Sequence, residues 1–143
     1  MNDTARGFVL TGAVAAFIGV ALGAFGAHAL RETLHLEARW MAVWETAVQY
    51  HLTHALALLF VGLSADRFTK SRSLITWVGR LFTTGILIFG GSLYAMALTS
   101  LSVSGPVTKL GAITPLGGVC FLTGWALLAV AAAREKGAPA PPA

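Results

Sequence analysis

The stretch GFVLTGAVAAFIGVALGAFGAHAL, residues 7–30, contains no charged side chain. A helix of about 20 predominantly apolar residues crosses a hydrocarbon core of about 30 Å, so this run is long enough to span a bilayer. Its last eight residues, GAFGAHAL (23–30), admit another reading, because Ala27-His28-Ala29 fits the A-x-A pattern of a signal-peptide cleavage site. A secretory apolar region is shorter, about 7–15 residues, and the glycines are equally good packing residues, which favours a retained helix. Three more runs follow the first. Residues 40–63 carry only Glu45, residues 110–133 carry no charge, and 81–98 extends back to 74 if Arg80 snorkels towards the headgroups. The expected fold is therefore all-α: one integral membrane bundle, residues 7–133, of four antiparallel transmembrane helices at about 7–30, 40–63, 74–98 and 110–133.

Composition agrees with a lipid solvent. Only 11% of the 143 residues are charged and 56% are hydrophobic, with a mean hydropathy of +0.73, whereas soluble domains average about 25% charge. The net charge of +4 does not signal nucleic acid, since no Lys/Arg stripe with interleaved aromatics is present. Cys120 is the single cysteine and lies in an apolar run, which excludes an intrachain disulfide.

The basic residues sit between the apolar runs, where orientation signals lie. Arg6, Arg67, Lys70, Arg72, Arg80, Arg134 and Lys136 fall on one side, and Arg31, Arg39 and Lys109 on the other. This asymmetry predicts cytoplasmic N and C termini and a multi-pass protein of the cell inner membrane. Residues 1–6 read as a short cytoplasmic tail, 134–143 as a disordered one because GAPAPPA has nothing to bury, and Ser104-Gly105-Pro106 as a turn.

Small residues mark the expected helix contacts. Gly12, Ala16, Gly19, Gly23, Gly26 and Ala27 fall within roughly a 100° arc of the first helix. Such a stripe lets a second backbone approach closely, which is how helices associate in lipid. Gly117, Gly118, Cys120 and Gly124 in the fourth helix, and Gly90 and Gly91 in the third, are smaller versions. FGGSL at 89–93 weakly echoes FGAHAL at 25–30, hinting at two related hairpins.

Polar groups concentrate in the outer half of the expected bundle. His28, Glu45, Gln49, Tyr50, His51, Ser92, Tyr94 and Thr114 fall there, with His54 deepest. If Trp44 is an interface anchor, a rise of 1.5 Å per residue puts His51 about 10 Å and His54 about 15 Å below it. On the second helix Val48, Leu52, Ala55 and Leu59 share one apolar face, read as the lipid contact, which leaves the polar groups inside protein. Bland roles compete with a site: Glu45 pairing with Arg31 or Arg39, His28 bonding at the interface, His54 bonding a backbone carbonyl or Tyr94. His51 and His54, three apart, lie within reach of one metal, but HxxH alone is a weak signal, and no third ligand is near in sequence. Haem ligation by His28 and His54 is opposed by their different depths. No catalytic triad, paired carboxylate or phosphate loop presents itself, so no enzyme and no cofactor are expected.

GAFGAHAL (23–30), YHLTHALAL (50–58), GSLYAMAL (91–98) and TPLGGVCFLTGWALL (114–128), in that order, resemble the domain-of-unknown-function 423 family. This is the uncharacterised protein family 0382 of small bacterial inner-membrane proteins, similar in turn to the transmembrane protein 256 group. The resemblance implies four spans and no established activity. Carried over, its pattern marks Gly23, Phe25, Gly26, Ala27, His28, Tyr50, His54, Gly91, Ser92, Tyr94, Thr114, Pro115, Gly117 and Gly118. It also implies glutamine in relatives where this chain has His51, which weakens the metal pair and leaves His54 with His28.

Three function classes follow. The first is a non-enzymatic structural, assembly or small-ligand-binding membrane protein, embedded in the lipid bilayer as a homo-oligomer or within a larger complex. The second is a proton or small-solute transport component acting as an oligomer, with His54 and Glu45 as relay groups. The third is a metal- or haem-binding membrane protein.

Overall fold

The computed structural model describes residues 3–102 and 108–135. The expected turn at 104–106 and the tail beyond residue 135 lie outside the described residues. The described residues form four long apolar helices: α1 (Asp3–Thr33), α2 (Ala38–Arg67), α3 (Arg72–Thr99) and α4 (Lys109–Glu135). No strand occurs among the described residues. α1 and α2 are joined by a tight turn in which His35 takes a left-handed φ of 48°. α2 and α3 form the centre, α1 packs on α2, α4 packs on α3, and α1 touches α3 only sparingly.

Small residues set the spacing of both outer pairs. A Cβ on Gly12 would come within 2.9 Å of the Leu59 backbone nitrogen and 3.0 Å of the Ala55 carbonyl. From the other side, a Cβ on Gly62 would meet the Val9 nitrogen at 2.8 Å and the Ala5 carbonyl at 2.9 Å. Further along α1, Gly19 receives Leu52, Gly23 touches Val48 and Gly26 receives the Trp44 indole. Ala16 and Ala27 are half-buried on the same helix. Glycines at 12, 19 and 26 repeat every seven residues, the period that keeps one seam facing a partner in a left-handed crossing. The α3–α4 contact uses phenylalanine in glycine notches. The Phe121 ring fills the space over Gly85 and the Phe82 ring that over Gly124, while Gly117 admits the backbone of Phe89 itself.

This arrangement reverses one expectation. The α2 face of Val48, Leu52, Ala55 and Leu59 does not meet lipid; it is the face that α1 covers. A glycine stripe needs large aliphatic groups opposite to fill its groove, and Val48, Leu52 and Leu59 supply them. The outward apolar side of α2 is Leu56, Phe60 and Leu63 instead.

Both α1 and α3 contain a widened turn. α1 becomes π-helical over Gly26–Thr33 and α3 over Ile86–Gly90. In α1 the transition follows the Leu22 carbonyl, to which the Trp44 indole N–H donates at 3.0 Å. A donor inserted from a neighbour into the backbone ladder is a recognised cause of such local deformation. The apolar core is split in two. One cluster at the N-terminal end holds Leu58, Val61, Val78 and Phe82, and one at the end with the α1–α2 turn holds Leu30, Trp40, Met41, Trp44 and Met96.

Candidate functional site

The polar groups are distributed over several places. At the rim by the α1–α2 turn, Arg31 is ion-paired with Glu45, and His28 lies 3.4 Å from Glu32, both pairs well exposed. Gln49 is exposed beside them. Exposed pairs of this kind contribute about 0–1 kcal/mol, and Arg31, Glu45 and Gln49 line a recess of about 280 Å³ at this rim together with Gly23, Trp44 and Val48. Ser92 and Thr114 meet at 2.7 Å and tie α3 to the start of α4, and Ser92 donates to the Phe89 carbonyl in an alternative bond of 3.0 Å. Ser92→Ala is expected to cost about 0.6 kcal/mol, the typical worth of an interhelical hydrogen bond in a membrane bundle. Detergent unfolding monitored by helicity measures it, and a loss above about 2 kcal/mol would mean the pair does more than bridge.

His54 is the centre of an aromatic knot. Its Nδ1 lies 2.8 Å from the Tyr50 carbonyl, and the Trp125 indole N–H donates to its Nε2 across 3.1 Å. An indole nitrogen only donates, so Nε2 must accept and Nδ1 carries the proton that is donated to Tyr50. The ring stacks on Phe121 with centroids 3.5 Å apart and meets Phe82 edge-on at 5.3 Å. Tyr50 closes the knot against Phe89 and Phe121. Both nitrogens of this imidazole are thus occupied within the protein, and it has no lone pair to offer a metal. No group of three or more His, Cys, Asp or Glu side chains converges among the described residues. Trp125, Phe121, Phe82 and Phe89 carry the knot but were not marked by the sequence reading. The spacing of Phe121 and Trp125, four apart on α4, was the available signal.

His51, about 60° around α2 from His54, faces Tyr94 and α1. It is 7% exposed, its Nδ1 is 3.3 Å from the Tyr94 hydroxyl, and its buried Nε2 has no hydrogen-bond partner. The ring also lies against α1, its Cδ2 3.5 Å from where a Cβ on Gly19 would stand. Tyr94 is held in turn by the Trp44 ring, 4.7 Å away.

Beside this pair lies a groove of about 550 Å³ between α1 and α3. Leu10, Val14, Ile18 and Leu22 line it at four-residue intervals from α1, and Thr83, Leu87 and Gly91 at the same interval from α3. His51 and Leu58 form its floor, with Tyr94 at one end. The groove exists because α1 leans on α2 and leaves α3. Gly91 keeps it open, since a Cβ there would meet nothing within 4 Å. Gly90 is near only Tyr94 of its own helix and Gly118 only the edge of Phe89.

Four long apolar helices, two buried imidazoles and a lipid-side groove define a multi-pass membrane protein with a helical-bundle fold. The chain belongs to the family described as "Protein of unknown function (DUF423)", whose model matches residues 22–118. It is 43% identical over 127 residues to the UPF0382 membrane protein YwdK of Bacillus subtilis, covering 89% of this chain and 96% of that protein. It is also 40% identical over 130 residues to a UPF0382 membrane protein of Staphylococcus epidermidis, covering 91% and 98%. No solved structure matches the chain.

Proposed function

We propose that this protein is a non-enzymatic binding protein of the cell membrane, with both termini cytoplasmic, which holds a small lipophilic molecule in the groove between α1 and α3. The observation that carries the reading is His51 Nε2, a polar atom buried without a partner at the wall of an apolar groove. An unpaired buried polar group costs about 1–3 kcal/mol, a cost that a bound molecule offering a partner removes. The volume of about 550 Å³ falls within the range of about 300–1,000 Å³ typical of small-molecule sites. The His54 knot is the rigid frame that fixes α2 against α3 and α4. Geometry favours binding over a proton relay, because Glu45 is engaged by Arg31 at the rim and both nitrogens of His54 are bonded.

Native mass spectrometry of the protein released from membrane nanodiscs tests this. The expected result is a mass increment from a small lipophile on the unmodified chain, lost in Gly91→Phe, whose ring fills the groove without meeting protein. A bare polypeptide mass under gentle release, or an increment indifferent to Gly91→Phe, would overturn the reading.

A further inference from the structure

We infer that the mouth of the α1–α3 groove, at the end where α1 begins, is a site for an anionic phospholipid whose phosphate pairs with Arg80. The inference concerns the mouth and does not rest on what lies deeper in the groove.

Sequence periodicity marks the place. Arg72, Thr76, Arg80 and Thr84 recur every four residues on α3, and Thr4, Gly7 and Thr11 follow at intervals of three and four on α1, so each set shares one helix face. The fold turns these faces towards each other: Thr4, Gly7, Thr11, Thr76, Arg80 and Thr84 all line one recess of about 610 Å³. Inward, the recess runs into the apolar groove, with which it shares Thr11 and Thr83. Outward, it meets a smaller recess of about 180 Å³ through Thr4, Phe8 and Thr76, and Arg72 lines that one. Each recess therefore holds one cation.

The level of Arg80 in the bilayer follows from the packing. The Phe8 ring sits over Gly79, next to Arg80, and the Trp44 indole sits over Gly26 at the opposite rim. Phe8 and Gly26 are 18 residues apart on α1, about 27 Å along the axis, close to the thickness of about 30 Å of a hydrocarbon core. Arg80 thus stands at one edge of that core, and the Arg31–Glu45 pair at the other. Lipid phosphates lie just outside such an edge, where basic pockets between helices receive anionic headgroups.

Chemistry selects the headgroup. The Arg80 guanidinium lies 5.5 Å from the centre of the Trp77 ring, and no carboxylate among the described residues pairs with it. Held on that ring, its planar fork is ready for two oxygens of one phosphate. Thr76 and Thr83 have given their hydroxyl protons to the Arg72 and Gly79 carbonyls, at 3.0 and 2.9 Å. Among the described residues no hydrogen bond engages the hydroxyls of Thr4, Thr11 and Thr84, which remain as donors. No Asp or Glu lines either recess, so the ammonium of a zwitterionic headgroup finds no partner there. Exposed Leu10 and Leu87 on the two rims give the acyl chains an apolar surface.

Native mass spectrometry of the protein in neutral detergent tests the site, by titration with dioleoylphosphatidylglycerol or with dioleoylphosphatidylcholine, which share their acyl chains. The unmodified chain is expected to bind phosphatidylglycerol about tenfold more tightly, the worth of a hydrogen bond to a charged group. Arg80→Gln should bring the ratio near unity, and Arg80→Lys, which keeps the charge without the planar fork, should retain part of it. Arg134→Gln, on the same side of the membrane at the end of α4, should leave it unchanged. Gly91→Phe, which fills the groove, should leave it unchanged too, so that mouth and groove can fail separately. Equal binding of the two lipids by the unmodified chain, or an equal loss in Arg80→Gln and Arg134→Gln, overturns the site. Displacement of phosphatidylglycerol by inorganic phosphate, beyond that by sodium chloride of equal ionic strength, overturns the lipid and makes a free anion the ligand.

Discussion

Gly12→Leu is expected to lower the stability of the bundle by about 3 kcal/mol or more and to loosen α1 from it. The position is bounded by backbone: a Cβ there would approach the Leu59 nitrogen at 2.9 Å and the Ala55 carbonyl at 3.0 Å. A flexible side chain can swing aside, but a helix backbone can move only with its whole helix. The seam continues through Gly19 and Gly26, so separation at Gly12 also opens the packing around Leu52 and Trp44. In lipid this matters doubly, because an α1 released from α2 gains no hydrophobic return from the solvent and close contact is what holds it. The control is Gly91→Leu, the same chemical change in open space, expected to alter stability by less than about 1 kcal/mol. Detergent titration followed by circular dichroism, with a cysteine crosslink between α1 and α2 as a proximity readout, measures both. Equal losses at the two glycines would refute the backbone seam.

His54→Leu is the second large effect, expected at about 2–4 kcal/mol. Leucine approximates the bulk but removes both hydrogen bonds, leaving the Trp125 N–H without its acceptor and the Tyr50 carbonyl without its extra donor. It also removes the stacked contact with Phe121, of a kind contributing about 0.5–1.5 kcal/mol. The asymmetry between an orphaned donor and a pair removed together supplies the sharper test. Trp125→Phe in the His54→Leu background should cost less than Trp125→Phe alone, with a coupling of about 1 kcal/mol. Strict additivity would show that the hydrogen bond at 3.1 Å contributes nothing.

The spans were legible because a bilayer imposes a length on any helix that crosses it. Runs such as 7–30 and 110–133, free of charge, admit few other architectures. The rotation of each helix was harder to read. On α2 the apolar face of Val48, Leu52, Ala55 and Leu59 looks the same in sequence whether it meets lipid or a glycine stripe, because both are apolar surroundings. Hydropathy separates protein from water and is nearly blind to protein against lipid. The two histidines show the same limit. His54 drew attention as the deepest polar group, yet the partner of its Nε2, Trp125, is 71 residues away. His51 was discounted through the expected glutamine in relatives, yet it holds the atom left without a partner. Which imidazole is satisfied depends on contacts from α4 and α1 that no local spacing encodes. The π turns were equally hidden, since that in α1 sits where a tryptophan from another helix donates to a backbone carbonyl.

The pairing of α1 with α2 and of α3 with α4 also bears on how the chain enters its membrane. Each glycine seam joins helices adjacent in sequence, and the remaining major contact, α2 with α3, does so too. Contacts between near neighbours close small loops and form quickly. As α2 emerges from synthesis its partner is already in the bilayer, and the same holds when α4 follows α3. The first hairpin therefore has its mate before the second begins, and His54 is last to be satisfied, when Trp125 arrives. Until then the half-made protein carries an imidazole with an unfilled acceptor, a mark by which an unfinished chain differs from a finished one.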